Sequence, residues 1–569
     1  MKNQEIADIF YSIADILELK EIPWKPIAYR KAARSIESLS KDIEKMYREG
    51  GIKALEKIPG VGKDIAQKIV EYLKTGKIEK YEKLKKSTPI NVGELMSIEG
   101  LGPKTISLLY KKLKIKNLKD LEQAVKKGKL RNLPRFGEKS EENILKSIAF
   151  AKRSGKRKPL GYALPIAEEI ISNLKKLKEV NQIQICGSTA RKKETVGDID
   201  ILVTAKNPKK VMDYFTSMQG VKRIVAKGPT KSTIVYGTIE VDLRVVKLDS
   251  FGSAVQYFVG SKEHNIALRK IAISKGYKLN EYGLFKGNKK VAGKYEESIY
   301  KKLGLDWIPY ELRENRGEIE AAQKHKLPNL IKIKDVISDL QMHTLYSDGV
   351  NSVKEMALTC KNNGLKYMAI TDHIGLAVAH AMKLKDIKRQ KEEISKLNSK
   401  FKNFKILQGA EIDIKLDGSL AASKKMIKEL DIVLGAIHVG LKRSKKEETK
   451  RIISAIESGH VNIIAHPTGR LINARKGYEL EWERVFEAAK KNNVALEINA
   501  FPTRMDLNDI HAKAAKEAGV MLSIGTDSHS VNHLKFLKLG AYIARRAWCE
   551  KNNIINTLPL NKLKKKLGI

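Results

Sequence analysis

Two aspartates one residue apart stand in the run Asp198-Ile199-Asp200-Ile201-Leu202-Val203, ten residues after Gly187-Ser188. In an extended chain successive side chains alternate faces, so both carboxylates share one face while Ile199 and Ile201 enter a core. Adjacent carboxylates repel each other unless a cation lies between them. An all-oxygen pair suits Mg²⁺, which takes few protein carboxylates and fills its shell with water and substrate phosphates. A later run, Ile239-Glu240-Val241-Asp242-Leu243-Arg244-Val245, supplies Asp242 as the third carboxylate that two metal ions need. Gly187 and Ser188, at a turn opening a short helix, offer backbone N–H groups and a hydroxyl to phosphate oxygens, with Arg191 one turn on.

A second chemical centre lies far along the chain, since nine of the 11 histidines fall beyond residue 335. They sit where apolar runs end. Gln341 and His343 follow one such run; His373, Glu411, His438, His466, and the pair Asp527 and His529 follow others, and Leu496-Glu497-Ile498-Asn499 is a seventh. With helical stretches between the runs, the pattern predicts seven strands of an alternating barrel, whose strand ends converge on one mouth. His380, His460, His511 and His533 follow no such rule and are expected at the surface.

The elements that position these centres can be read around them. Ile183 and Ile185 predict a strand before the Gly-Ser turn, and Asp198 opens the next. Residues 1–85 read as helices, with Ile6, Ile9, Phe10, Ile13, Ile16 and Leu17 at helical spacing. Gly60-Val61-Gly62 before a helix is a helix-hairpin-helix pattern: glycines let the backbone approach closely, and the helix start presents free N–H groups to a phosphate. It recurs at Gly100-Leu101-Gly102 and, more weakly, at Leu133-Pro134-Arg135-Phe136-Gly137. Repetition favours a sequence-independent grip on the DNA backbone. The charge agrees, with 109 Lys+Arg against 66 Asp+Glu giving +43, spread along 569 residues; such an excess attracts polyanions. Cys186, Cys360 and Cys549 lack metal or disulfide spacing. No signal-peptide core or membrane-length apolar run is found, so a cytoplasmic protein is expected.

Gly-Ser followed by Asp-x-Asp resembles the nucleotidyltransferase palm. Tyr257-Phe258-Val259-Gly260-Ser261, His264-Asn265, Arg269 and Leu279-Asn280-Glu281-Tyr282-Gly283-Leu284-Phe285 resemble the thumb of family X DNA polymerases. The resemblance implies that Tyr257, Phe258, Gly260 and Asn265 line the nucleotide pocket with Gly187, Ser188 and Arg191, and that Arg244 and Arg269 contact DNA. Lys25, Tyr29-Arg30-Lys31-Ala32-Ala33 and the first hairpin resemble the small lyase domain of the polymerase-beta branch. Lys68 then matches its Schiff-base lysine, with Asp64 standing where relatives carry lysine. Glu240 departs likewise, since relatives commonly have arginine or another uncharged or basic residue there.

The histidine module resembles the PHP phosphoesterase domain. That likeness implies one metal on His343, Glu411 and Asp527, with Gln341 where histidine is usual, a second on Glu411, His438 and His466, and a third on Asp348, His373 and His529. Glutamine is a weak neutral ligand, so the first position is expected to bind loosely.

The expected fold is multidomain: helical lyase-like domain 1–85, helical fingers-like domain 86–155, α+β palm 156–250, thumb 251–318, connector 319–334 and a distorted (β/α)7 PHP barrel 335–569. The expected function is a gap-filling DNA repair polymerase, with 3′-end processing or abasic-site cleavage at the barrel and a possible lyase at Lys68. Mg²⁺ or Mn²⁺ is expected in the palm and up to three Mn²⁺ or Zn²⁺ ions in the barrel. Gapped DNA, 5′-phosphate ends and deoxynucleoside triphosphates are the expected partners of a monomer. The competing expectation, kept open by Gln341 and Glu240, is a DNA-end scaffold with one or both centres decayed.

Overall fold

The computed structural model describes residues 2–37, 43–96, 98, 101–134, 136–138, 140–142, 144–145, 148, 157–375 and 380–569. Gly100, Arg135 and the basic run 152–156 lie outside the described residues.

The amino-terminal helices follow their apolar spacing. Helix α1 (Lys2–Leu19) buries Ile6, Phe10, Ile13 and Leu17 against α2 (Lys25–Glu37), where Tyr29 meets Phe10 edge-on with ring centroids 5.5 Å apart. The same helix turns Ile16 and Leu19 into a separate core built on Leu101, Ile106, Leu109 and Leu121. One helix thus stitches two hairpin units together. Helices α3 (Ile43–Glu56) and α4 (Lys63–Thr75) flank the first hairpin. Gly60 adopts φ +80°, and a side chain there would run into Lys31. In the second hairpin, Gly102 caps α5 (Pro103–Leu113), with proline at its first turn.

The palm begins with α6 (Leu160–Leu174) and a five-stranded sheet made of β1 (Val180–Ile185), β2 (Asp198–Ala205), β3 (Val221–Lys227), β4 (Lys231–Tyr236) and β5 (Ile239–Val245). The spatial order is β1-β2-β5-β4-β3, with β2 and β5 parallel and the other pairings antiparallel. Ile199, Ile201 and Val203 pack inward with Leu164, Ala167 and Ile170 of α6. The thumb follows with α7 (Phe251–Val259), α8 (Lys262–Ser274) and a small antiparallel sheet, β6 (Lys278–Asn280), β7 (Gly283–Lys286) and β8 (Lys289–Ala292). The charged stretch 311–318, at the end of the expected thumb, is built into this unit. Arg313 is fully buried on Glu296, and Glu318 is fully buried on His264 at 2.8 Å.

The last module carries parallel strands β9 (Ser338–Asp339), β10 (Tyr367–Ile370), β11 (His373–Ile374), β12 (Lys405–Asp413), β13 (Ile432–Ala436), β14 (Ile463–Ile464), β15 (Ala495–Asn499) and β16 (Leu522–Gly525). Seven of them run in chain order around the sheet, and β11 adds a short side pairing to β12. A parallel bridge between Met342 and Ser528 links first to last, so the barrel is nearly closed. All residues of β10, β13, β15 and β16 are buried, as strands covered on both faces must be.

Palm and barrel share one hydrophobic core, which runs from Ile199 and Leu164 to Ile498 and Leu539. Gly161 lies so close to Pro502 and Leu539 that a side chain would collide with both. Arg546 is the polar rivet of this junction: it donates to Asp509 at 2.6 Å, to Glu314 at 3.1 Å and to the Arg191 carbonyl at 2.7 Å, and is only 5% exposed. Replacing one partner of a buried ion network strands the other charges at a cost of about 3–5 kcal/mol. Arg546→Ala is therefore expected to lower the first unfolding transition of the full chain in differential scanning calorimetry, whereas an exposed control such as Lys209→Ala leaves it in place.

Candidate functional site

The palm site is set by strand register. Asp200 pairs with Asp242 and Asp198 with Glu240 across the parallel β2–β5 ladder, so the acidic side chains meet on the face opposite Ile199, Ile201, Val241 and Leu243. Burial, then the charges of Asp198 and Asp242, push the Asp200 carboxyl up to about 6. Asp242 is drawn toward Lys231 at 2.9 Å and accepts the Thr233 hydroxyl at 2.5 Å. The triad is accordingly more open than the barrel clusters, where ligand atoms fall within 4.8 Å of one another. Like charges gathered on one face, one of them reluctant to ionise, fit a cation between them.

The Gly187-Ser188 turn is next to it. Gly187 holds φ +60°, and a Cβ there would strike the Asp200 carboxylate, so only glycine brings the turn this close. Ser188 follows at the start of the short helix Gly187–Ala190. Arg191 reaches the thumb, donating to Glu314 at 3.0 Å and to the Val259 carbonyl beside Gly260. Tyr257 is 37% exposed and meets Phe258 edge-on at 5.1 Å, and the Arg244 guanidinium lies 4.9 Å over the Phe258 ring. Asn265 is turned inward: it donates to the Tyr257 carbonyl and accepts from Gln256, each at 2.7 Å. Arg269 donates to the Asn265 carbonyl at 3.2 Å. Palm and thumb residues singled out from sequence thus adjoin one another, with Asn265 bracing Tyr257 rather than facing solvent.

At the amino terminus, the Lys68 ammonium donates to Asp64 Oδ1 at 2.5 Å and is mostly buried. That hydrogen bond holds the Asp64 carboxyl below its ordinary range. Lys80, which the sequence reading passed over, joins the pocket. It lies 5.2 Å over the Tyr29 ring, and burial followed by the Lys68 charge pushes its amine down. Lys25 adds its field to the same place. Tyr29 itself is buried in the core, with its hydroxyl unpartnered.

The barrel mouth gathers its ligands as strand-end placement requires. Three overlapping sets have ligand atoms within 4.8 Å: His343, Asp348, His373 and His529; His373, Glu411 and His438; and His343, Glu411 and Asp527. Glu411 is the hub, 2.7 Å from His466 Nε2, 3.2 Å from His438 Nε2 and 3.3 Å from His343 Nε2. His343 is fully buried with neither ring nitrogen hydrogen-bonded, an arrangement that fits a metal ligand rather than a core histidine. Burial pulls the other way, yet Glu411 and Asp413 push the His438 imidazole up to about 9; burial and the neighbouring His343 bring His373 down to about 4.

Supporting residues fix these ligands. Asp413 holds His438 Nδ1 at 2.6 Å, which aims Nε2 at Glu411, and the Asp527 carbonyl does the same for His529 Nδ1 at 2.8 Å. Asp372, fully buried, accepts from Thr344 N and Oγ1, Ser347 Oγ and Gln390, and so pins the loop that delivers Asp348. Glu497 accepts the His466 backbone N–H at 2.7 Å. Glu497 lies in the seventh apolar run of the sequence, and Asp372 stands next to His373; an acid at a strand end is the only signal either gives. His511 and His533, expected at the surface, are half-buried: the first lies 4.5 Å from the Trp482 ring and the second packs between Phe501 and Phe536.

Comparison with known proteins follows the same division. Residues 1–78 match a helix-hairpin-helix domain, 92–149 a SAM-like helix-hairpin-helix tandem, 162–248 the DNA polymerase beta palm, 254–314 the DNA polymerase beta thumb and 339–501 the PHP domain. The DNA polymerase/3′-5′ exonuclease PolX of Bacillus subtilis is 37% identical over 568 residues, covering 98% of both chains. A probable phosphatase of Shewanella halifaxensis is 32% identical over 237 residues, 39% of this chain and 88% of that one. The probable phosphatase YcdX of Escherichia coli O81 is 33% identical over 208 residues, 34% of this chain and 78% of that one.

Two predictions rest on these charges. A carboxyl with a raised value in the folded state binds more protons there than in the unfolded chain, so the metal-free palm loses stability as pH rises from about 4 to about 6. A cation that displaces the Asp200 proton reverses this, so Mg²⁺ protection measured by palm hydrogen exchange should grow through that window and vanish in Asp200→Asn. Separately, Asp64→Ala frees the Lys68 amine from its acceptor. Borohydride trapping of a Schiff base on abasic DNA is expected to increase several-fold, and Lys68→Ala in the same background should abolish the increment.

Proposed function

Because the chain belongs to the family X DNA polymerases that carry helix-hairpin-helix, palm, thumb and C-terminal PHP domains, we propose that it fills short gaps during DNA repair. It is a DNA polymerase with 3′–5′ exonuclease activity, acting on DNA and deoxynucleoside triphosphates. The likeness over 98% of both chains removes the case for an inert DNA-end scaffold.

The observation that carries the assignment to residues is the β2–β5 register, which sets Asp200 against Asp242 with Asp198 beside them. Asp198, Asp200 and Asp242 would hold divalent ions, Mg²⁺ or Mn²⁺, which would supply charge stabilisation for the primer 3′ hydroxyl and an in-line transition state. Gly187 and Ser188 receive the triphosphate, and Arg191, tied to Val259 and Glu314, holds the palm turn against the thumb. Tyr257 and Phe258 wall the sugar and base pocket, with Asn265 fixing the Tyr257 backbone. Gly60, Gly62, Gly100 and Gly102 bring the hairpins to the DNA backbone, and Lys25, Lys68 and Lys80 receive a 5′ phosphate.

At the barrel, Glu411, His343, Asp348, His373, His438, His466, Asp527 and His529 hold the ions of the exonuclease, Mn²⁺ or Zn²⁺ by the mixed imidazole and carboxylate set. Asp413 and Asp372 orient that set. The work is assigned to a cytoplasmic monomer; among the described residues no helix is long and apolar enough to cross a membrane.

Labelled gapped and 3′-mismatched duplexes test both centres in one preparation. Asp198→Ala should lose at least 10²-fold in gap extension and keep 3′ trimming, while His438→Ala should do the reverse. Loss of both activities in either variant, with unchanged melting, would break the division of labour.

A further inference from the structure

The three ligand sets of the barrel differ in what stands behind them. Glu411 Oε2 accepts the Gln341 Nε2–H at 3.0 Å, while the Gln341 carbonyl oxygen takes the Asn499 amide at 3.3 Å. A carboxylate cannot donate, so these two partners fix the orientation of the amide, with its donor end on Glu411 and its acceptor end engaged elsewhere. Asp527 Oδ2 is held by Arg504 Nε at 3.2 Å and by Asn499 Nδ2 at 3.1 Å, leaving Oδ1 to face His343 Nε2 at 3.2 Å. The corner between His343, Glu411 and Asp527 therefore has one neutral, occupied side chain and one permanent cation beside its ligands.

Neither other set has a permanent cation paired with one of its carboxylates. Among the described residues, the ion pairs of Asp348 and Glu411 are with histidines alone, those of Asp348 with His373 and His529, and those of Glu411 with His343, His373, His438 and His466. Arg504 is also delivered by a stiff loop. Asn499 and Asp506 exchange backbone hydrogen bonds of 2.5 and 3.1 Å, the Asp506 carboxylate accepts the Thr468 N–H at 2.9 Å, and Arg470 donates to the Arg504 carbonyl at 2.9 Å. A guanidinium held there repels an incoming divalent ion and ties up one of the two Asp527 oxygens.

We propose that this corner is the exchangeable cation position of the barrel, with Gln341 and Arg504 jointly keeping its affinity below that of the other two. Two ions are resident, on the His343, Asp348, His373 and His529 set and on the His373, Glu411 and His438 set, with His466 2.7 Å from Glu411; the third exchanges with solvent. The inference rests on the reading of the barrel as a metal centre, and goes beyond it by ranking the positions and naming Arg504 as a positioning residue.

The test counts Mn²⁺ in the full chain carrying Asp198→Ala and Asp242→Ala, which removes two of the three palm carboxylates. After loading and gel filtration, elemental analysis should find two ions per chain, and Mn²⁺ titration followed by electron paramagnetic resonance should show a third bound on the order of 10–100-fold more weakly. Adding Gln341→His and Arg504→Met should raise the retained count to three, and Arg504→Lys with Gln341 intact should leave it at two. Three ions retained by the chain with Gln341 and Arg504 in place, or one class of three equal sites in the titration, would overturn the inference while leaving the metal centre standing. That titration needs no barrel variant, so it decides even if the substituted chain fails to fold. No retained metal at all would remove the centre and the inference together.

Discussion

Carboxylates placed side by side by backbone register repel one another, and the fold cannot relieve the repulsion by turning them away. In the palm the parallel β2–β5 ladder makes Asp200 and Asp242 register partners, and the apolar side chains between them are locked into a core shared with the barrel. A one-residue slip would carry Ile199 and Ile201 to solvent and bury the acids, so hydrophobic packing enforces the electrostatic cost. A cation between them would offset it. The same logic runs through the barrel, where Glu411 is ringed by four imidazoles. In both places the charge arrangement is one that a metal ion would complete.

The two centres are not beads on a string. Palm, thumb and barrel meet around Arg191, Glu314 and Arg546, so the residue that follows the phosphate turn, the thumb segment that ends near Arg316 and a barrel helix share one ion network. The core across Gly161 and Pro502 fixes their relative position by packing. The amino-terminal helical units are organised differently, around the two faces of α1. Palm, thumb and barrel are thus tied together by packing and ion pairs, and the helix-hairpin-helix units by the two faces of α1.

Much of this was legible in the chain. Strand alternation around Asp198 and Asp242, glycine pairs before helix starts, and ligand residues at the ends of apolar runs are local signals, and local periodicity survives folding. Their neighbours were not legible. Lys80 joins the Lys68 pocket from a helix that shows only a charged surface in sequence, Arg504 reaches Asp527 from a loop, and Asp413 looks like any acid after a strand. The buried pairs of the charged stretch 311–318 were not legible, because buried ion pairs and solvated charges have the same composition; Arg313 on Glu296 and Glu318 on His264 are distinguished only by the walls around them. His533 was hidden for the converse reason, since no motif announces a histidine wedged between Phe501 and Phe536.

The account stands on cations shared by the palm triad. The most direct measurement is the number of Mn²⁺ ions bound in the presence of a nonhydrolysable deoxynucleoside triphosphate and gapped DNA, compared between the unmodified chain and Asp242→Ala. The account predicts that this single change, on a strand more than forty residues from Asp198, removes bound metal from the palm and leaves the barrel count untouched. An identical count in the two proteins, with the ternary complex formed in both, would contradict it.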